Sequence, residues 1–252
     1  MFNGIGLITF CCISCAALAG FLIGRRLPED SRSDGTQRVV QLVMNIVGIL
    51  TALVMGLLIA ATKTNFDTTS TEVEEFATSL SLLDRELGHL GADAGPLRDL
   101  LRAFTSRKIA LMWPAERGVK PRLQDQETDQ MLDDLEGRLR SSSLQGEGLR
   151  DTRASALRIL DDLKRTNRLL AVQQTIRAPP PFLDVVVFWL CMLYLSYAAF
   201  APLNRAVVGA MVISALSVSI ALNVIIDMDR PFLGIIKIPS LSMRQAFEDM
   251  KR

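Results

Sequence analysis

Asp227, Asp229 and Arg230 stand where an apolar run ends, and Pro231 follows them. Charges at the mouth of a hydrophobic helix serve one of two purposes. They anchor and cap the helix, or they form part of an ion pathway. A long basic side chain snorkels to water easily, but an Asp has little reach. The economical expectation is structural: Pro231 stops the helix, and Arg230 pairs with the carboxylates near its negative end. Other candidate chemistry is sparse. Cys12-Ile13-Ser14-Cys15 has redox or metal spacing but lies in an apolar run without His or charge, so packing is the simpler role. The single His89 falls off the apolar seam that surrounds it. Asp133-Asp134 and Asp161-Asp162 sit on amphipathic stretches and read as solvated faces. No His/Cys/carboxylate set has metal-ligand spacing, no glycine-rich loop follows a strand, and no serine elbow is present. The sequence therefore points to no enzyme and no cofactor.

The elements that carry these residues are mostly apolar helices. The block from Lys63 to Pro181 holds 37 of the chain's 55 charged side chains, which leaves the flanks apolar. A net charge of +1 gives no case for nucleic acid. Four segments reach the roughly 20 apolar residues that cross a bilayer: Ile5–Gly24, Val39–Thr62, Phe182–Ala201 and Ala206–Ile226. Gly48, Ala52, Gly56 and Ala60 recur every four residues along the second. Ala16, Gly20 and Gly24 do so in the first, and Ala206, Ala210 and Ser214 in the fourth. Such lines let helix backbones approach closely. Asn45, Ser214, Ser217, Ser219 and Asn223 are polar within spans and are expected to face the bundle or a wet path.

The expected fold is all-α: four transmembrane helices with a helical extramembrane insert between the second and third. The domains are a first hairpin (1–62), an insert (63–181), a second hairpin (182–226) and a membrane-proximal tail (227–252). In the insert, Val73, Phe76, Leu80, Leu83, Leu87 and Leu90 form a heptad seam, with Thr69 and Ser70 placed to cap its start. A helix from Pro96 to about Met112 carries Leu97, Leu100, Leu101, Phe104 and Leu111. A third, about Asp125–Ser141, carries Met131, Leu132, Leu135 and Leu139. After a turn at Gln145–Gly148, a longer helix carries Ala156, Leu160, Leu163, Asn167, Leu170 and Gln174. Asn167 either fixes register or is solvated. Ala178–Pro181 reads as a stiff joint. Ser240 or Ser242 can start a tail helix with Met243, Phe247 and Met250 on one side. An even number of spans puts both termini and the insert on one side. Arg25, Arg26, Arg32 and Arg38 favour the first loop inside, whereas the basic C-terminus and Lys164–Arg177 favour the opposite orientation, with cytosolic termini.

Several stretches together resemble the bacterial family whose domain is described as bestrophin-like: Gly24–Pro28, Ala52–Ala60 with Phe66-Asp67, Leu82–Arg85, Met112–Pro114, Phe200–Asn204, Ala215–Ser217 and Asp227–Gly234. The resemblance implies four spans, cytosolic termini in the bacterial inner membrane, a cytosolic helical block and a homo-oligomeric anion channel for chloride or another small anion. The chain departs from true bestrophins in two respects. Their pore-lining second helix carries bulky aromatic and aliphatic residues at its constriction, but 39–62 has no aromatic. No acidic cluster like their calcium clasp is evident. No pore residue, gate or calcium site is therefore carried over. Two functions are expected: an oligomeric ion channel in the lipid bilayer, or a membrane-anchored coiled-coil scaffold without transport activity.

Overall fold

A computed structural model describes residues 4–26, 28, 33–91, 94–114, 119–141, 147–173 and 180–251. They form eight helices: α1 (Gly4–Arg26), α2 (Asp34–Gly88), α3 (Ala94–Met112), α4 (Gln126–Ser141), α5 (Glu147–Gln173), α6 (Pro180–Phe200), α7 (Arg205–Met228) and α8 (Leu241–Asp249). No strand occurs among the described residues, so the chain is all-α. Four helices are long and apolar enough to cross a membrane: α1, α2, α6 and α7. Gln145, Gly146, Gln174, Arg32 and the start of the Pro-rich joint at Ala178-Pro179 lie outside the described residues.

The chain divides into two units. The first comprises Met1–Asn65, Ala178–Arg230 and Gly234–Ile236. Its core gathers Ile13 from α1, Val186 and Leu190 from α6, and Ala215, Leu222 and Ile225 from α7, with Val54, Met55 and Leu58 of α2 packed against them. The closest approach is between α1 and α6. A Cβ at Gly20 would lie 2.3 Å from the Leu195 carbonyl oxygen, and one at Gly24 would lie 2.2 Å from that of Ala199. Bare glycine is therefore what lets these two backbones touch, because packing, not water exclusion, joins helices in lipid. Asn204 opens α7: its backbone is extended, and its Oδ1 accepts from the Val207 N–H at 2.8 Å.

The second unit comprises Phe66–Arg177, Pro231–Leu233 and Lys237–Arg252. All six seam residues from Val73 to Leu90 are buried in its core, beside Leu97, Leu101, Phe104, Leu132, Leu135, Leu139, Leu160, Leu163 and Leu170. The C-terminal segment joins that core through Phe232, Ile238, Met243, Ala246 and Met250. Trp113 packs edge-on against Phe232 at 5.7 Å and donates its indole N–H to the Ile238 carbonyl at 2.9 Å. Arg98 and Arg102 donate to the Met250 carbonyl at the end of α8. The tail helix forms where Ser240 was expected to start it, with Met243 and Met250 buried.

One expectation needs correction. Thr69 and Ser70 do not begin a new helix, because α2 runs unbroken from Asp34 to Gly88. No Gly or Pro occurs between Leu57 and Leu87 to break it. On either side of Thr69 and Ser70, the hydroxyls of Thr62, Thr64 and Thr71 bond back to carbonyls four residues earlier, which is how Thr is accommodated inside a continuous helix. The helix ends at Gly88, and three residues on Gly91 turns the chain with a φ of 72°, a left-handed conformation that glycine accommodates.

Candidate functional site

Helix α2 shows two faces in the membrane unit. Thr51 and Thr62 are buried, and Val54, Met55 and Leu58 lie between them against the core. Ala52, Gly56 and Ala60 point elsewhere and are exposed on the protomer. Nothing lies within 4 Å of where a Gly56 Cβ would be, and a Gly48 Cβ would meet only Leu193, at 3.9 Å. From Ala52 to Ala60 the line of small residues in α2 is thus exposed on the protomer, unlike Gly20 and Gly24 of α1. Asn45 stands seven residues before Ala52, two helical turns away on the same line. Its Oδ1 accepts from the Tyr197 hydroxyl of α6 at 2.8 Å. A second tyrosine, Tyr194, bonds Ser214 of α7 at 2.8 Å. Two phenols of α6 therefore tie it to α2 and α7. Their part was not read from the sequence, although a Tyr every three residues in a span was a usable signal.

The end of α7 builds a turn around Asp227. This carboxylate is 2% exposed, and its Oδ2 accepts from the Ile235 N–H at 3.0 Å. The sequence suggested Arg230 beside this carboxylate; the Ile235 backbone amide is one partner that it did not suggest. Gly234 has φ +91°, and a Cβ there would fall 2.7 Å from Asp227 Oδ1. The chain can fold back over the carboxylate only because that position is glycine. The Asp229 N–H closes the helix onto the Ile225 carbonyl, and the Arg230 N–H bonds the Asp227 carbonyl. Asp229 and Arg230 themselves are half-buried. Of the polar residues in the spans, Ser219 and Asn223 face the bundle interior, whereas Asn45, Ser214 and Ser217 are exposed on the protomer.

The helical unit holds its own buried charge. Lys108 is fully buried on α3, with its ammonium on the Leu123 carbonyl. Burial pulls its pKa down to about 8, against an opposing pull from Asp129 and Asp125. The sequence reading took Leu111 as the next seam residue. The buried stripe is in fact Leu97, Leu101, Phe104, Lys108 and Met112, with Leu111 half-buried. Asn167 is buried on the α5 seam and donates to Asp129 of α4 at 3.1 Å, so it is not the solvated residue of the second expectation. Arg98 makes a two-pronged pair with Asp84 at 2.8 and 2.7 Å, which raises the Arg98 pKa. His89 is exposed.

Four apolar spans joined to a separately packed helical unit define a multi-spanning integral membrane protein. A family model described as the bestrophin-like domain matches residues 11–243. The chain belongs to the bestrophin-like family. Solved structures share its fold at low identity. A bacterial bestrophin homologue from Klebsiella pneumoniae is 13% identical with a TM-score of 0.67, covering 94% of this chain and 97% of that one. A mutant of a bacterial bestrophin homologue from Klebsiella pneumoniae is 13% identical with a TM-score of 0.69, covering 95% and 96%. A further membrane protein is 12% identical with a TM-score of 0.70, covering 96% and 97%. No curated protein matches the chain in sequence.

Proposed function

We propose that this chain is the subunit of a homo-oligomeric ion channel in the bacterial inner membrane, conducting chloride or another small anion, with both termini cytosolic. The observation that carries the reading is the uncovered face of α2. Gly48, Ala52, Gly56 and Ala60 form a smooth line that nothing in the protomer contacts closely. Small residues are retained in membrane helices where another backbone approaches or where a path needs width. Asn45 adds a polar group on the same line, and Tyr197 fixes its orientation. Family membership supports the reading. The scaffold alternative draws on the heptad-bearing insert and on the absence of a recognisable filter; the Val73–Leu90 seam is buried in the unit's own core, which weakens the first of these. In this reading the oligomeric contact is α2's small-residue face.

The decisive experiment is chloride flux from liposomes holding the purified chain, with cation-flux and empty-liposome controls. Selective chloride flux that Gly56→Leu abolishes, in protein that keeps its oligomeric state, supports the channel. Folded, oligomeric protein that passes no ion under any tested voltage or pH overturns it.

A further inference from the structure

A groove opens in the helical unit between α2 and α5, and opposite charges face it. It holds about 690 Å³ and is lined by Glu74, Glu75 and Thr78 of α2 and by Asp162, Arg165 and Leu169 of α5. On α2, Thr71, Glu75, Thr78 and Leu82 follow in steps of four, three and four residues, so they share one face, and Leu82 is 47% exposed there. On α5, Arg165, Arg168, Leu169 and Val172 form a stripe by the same rule, with Leu169 44% and Val172 55% exposed. The neighbouring Lys164 is already held by Asp133 and Glu136 of α4. Glu74, Glu75, Arg165 and Arg168 are all exposed, and no ion pair joins any of them to another described residue. Exposed charges by themselves need only water. Leu169 and Val172 standing together beside charge are the composition of an interface.

Charge decides what covers these faces. Anionic lipid headgroups drawn to the arginines would be repelled by Glu74, Glu75 and Asp162 in the same groove. A protein that fits the α5 stripe must present carboxylates beside an apolar side chain. One that fits the α2 stripe must present basic groups beside apolar ones. This chain carries both surfaces. We propose that the Arg165–Val172 stripe of α5 in one copy docks on the Glu74, Glu75 and Leu82 stripe of α2 in the next copy. Opposite charges across such a contact select the partner and fix its register. Two different patches that fit each other make a head-to-tail contact, which closes into a ring where the rotation allows. The contact rests on the homo-oligomeric part of the reading above, adds a surface apart from the Gly48–Ala60 line, and does not depend on conduction.

The test uses two full-length chains with different affinity tags, one Glu74→Lys/Glu75→Lys and the other Arg165→Glu/Arg168→Glu. Alone, each sets like charges across the contact, and its assembly in mild detergent, read by light scattering, should weaken by about tenfold. Co-expressed, the two match at both junctions: reversed α2 meets reversed α5, and native α5 meets native α2. Assemblies carrying both tags should therefore form at wild-type yield. The milder Glu74→Gln/Glu75→Gln and Arg165→Gln/Arg168→Gln chains keep the exposed surface uncharged and foldable, and each should reduce the salt sensitivity of assembly seen in wild type. Reversed chains that assemble alone as wild type does overturn the proposal and leave the stripes to lipid or an unrelated protein. A single chain carrying all four reversals that recovers assembly, while the co-expressed pair does not, also overturns it, because the charges then pair inside one protomer. Wild-type protein that passes no chloride while the pair behaves as expected keeps this contact and refutes only the channel reading.

Discussion

Replacing Lys108 with Met should stabilise the helical unit at neutral pH, and the gain should shrink as the solution is made alkaline. The folded chain holds the Lys108 ammonium where no water reaches it, and its pKa falls from 10.5 to about 8. At about 1.4 kcal/mol per pKa unit, keeping that ammonium charged in the fold costs roughly 3 kcal/mol at pH 7. The sign follows from proton counting. Between pH 8 and 10.5 the unfolded chain binds the proton and the folded chain does not. Stability therefore rises with pH across that window, and the cost is fully present below it. Met has nearly the shape of Lys and no charge to desolvate. It also abandons the bond to the Leu123 carbonyl, worth roughly 1.5–3 kcal/mol for a charged donor. The net expectation is a gain of about 1 kcal/mol at pH 7, turning to a loss near pH 10 as the wild type sheds its penalty. The assay is denaturant unfolding of detergent-purified protein in a Trp189→Phe background, so that Trp113, packed on Phe232, reports the helical unit. Lys108→Met less stable than wild type by 2 kcal/mol or more at pH 7, or a difference that does not move between pH 7 and 10, would refute the reasoning.

The remaining expectations concern glycine and the tail. Gly234→Ala adds a Cβ 2.7 Å from the Asp227 carboxylate at a left-handed φ, so it should lower the unfolding midpoint by the equivalent of about 1–3 kcal/mol. Gly24→Leu drives a side chain into the Ala199 backbone and should abolish monodisperse behaviour on size-exclusion chromatography, whereas Gly56→Ala, with open space around it, should leave monomer folding intact. Arg102→Ala removes the shorter of the two arginine contacts to the Met250 carbonyl at the end of α8 and should speed proteolysis of the tail beyond Ile238, with little change in the rest of the chain.

How much of this was legible beforehand differs between the membrane spans and their contacts. Hydropathy marked all four helices that are long and apolar enough to cross a membrane, because a bilayer demands a minimum length of apolar helix. Alternating three- and four-residue steps located the buried seam of α2 and most of α5. The unbroken course of α2 was not legible, since Thr and Ser near a charge look like a cap and only their back-bonding shows otherwise. Lys108 was missed because a lysine reads as surface. Its place four residues after Phe104 and four before Met112 was the available signal. At the end of α7 the sequence suggested Arg230 beside Asp227 and gave no hint of the Ile235 amide that bonds its carboxylate. A backbone amide eight residues on leaves no trace in side-chain pattern, whereas an adjacent arginine does.

The small residues show why spacing alone does not assign function. Helices α1 and α2 carry the same four-residue recurrence of Gly and Ala, and the sequence treats them alike. In the structure their environments differ completely. Gly20 and Gly24 sit at backbone contact with α6, where a methyl group would collide, while Gly56 has nothing near it. The first line is therefore fixed by the protomer's own fold. The second is not needed by that fold at all, and a branched side chain there would cost the isolated protomer nothing in packing. Leu and Ile surround the second line on α2 and are more favourable in lipid, so smallness along this line needs a reason outside the protomer. A neighbouring copy at close range, or a path whose width depends on it, supplies that reason. The Gly56→Leu flux measurement distinguishes the two: loss of assembly assigns the face to packing, and loss of flux with assembly retained assigns it to the path.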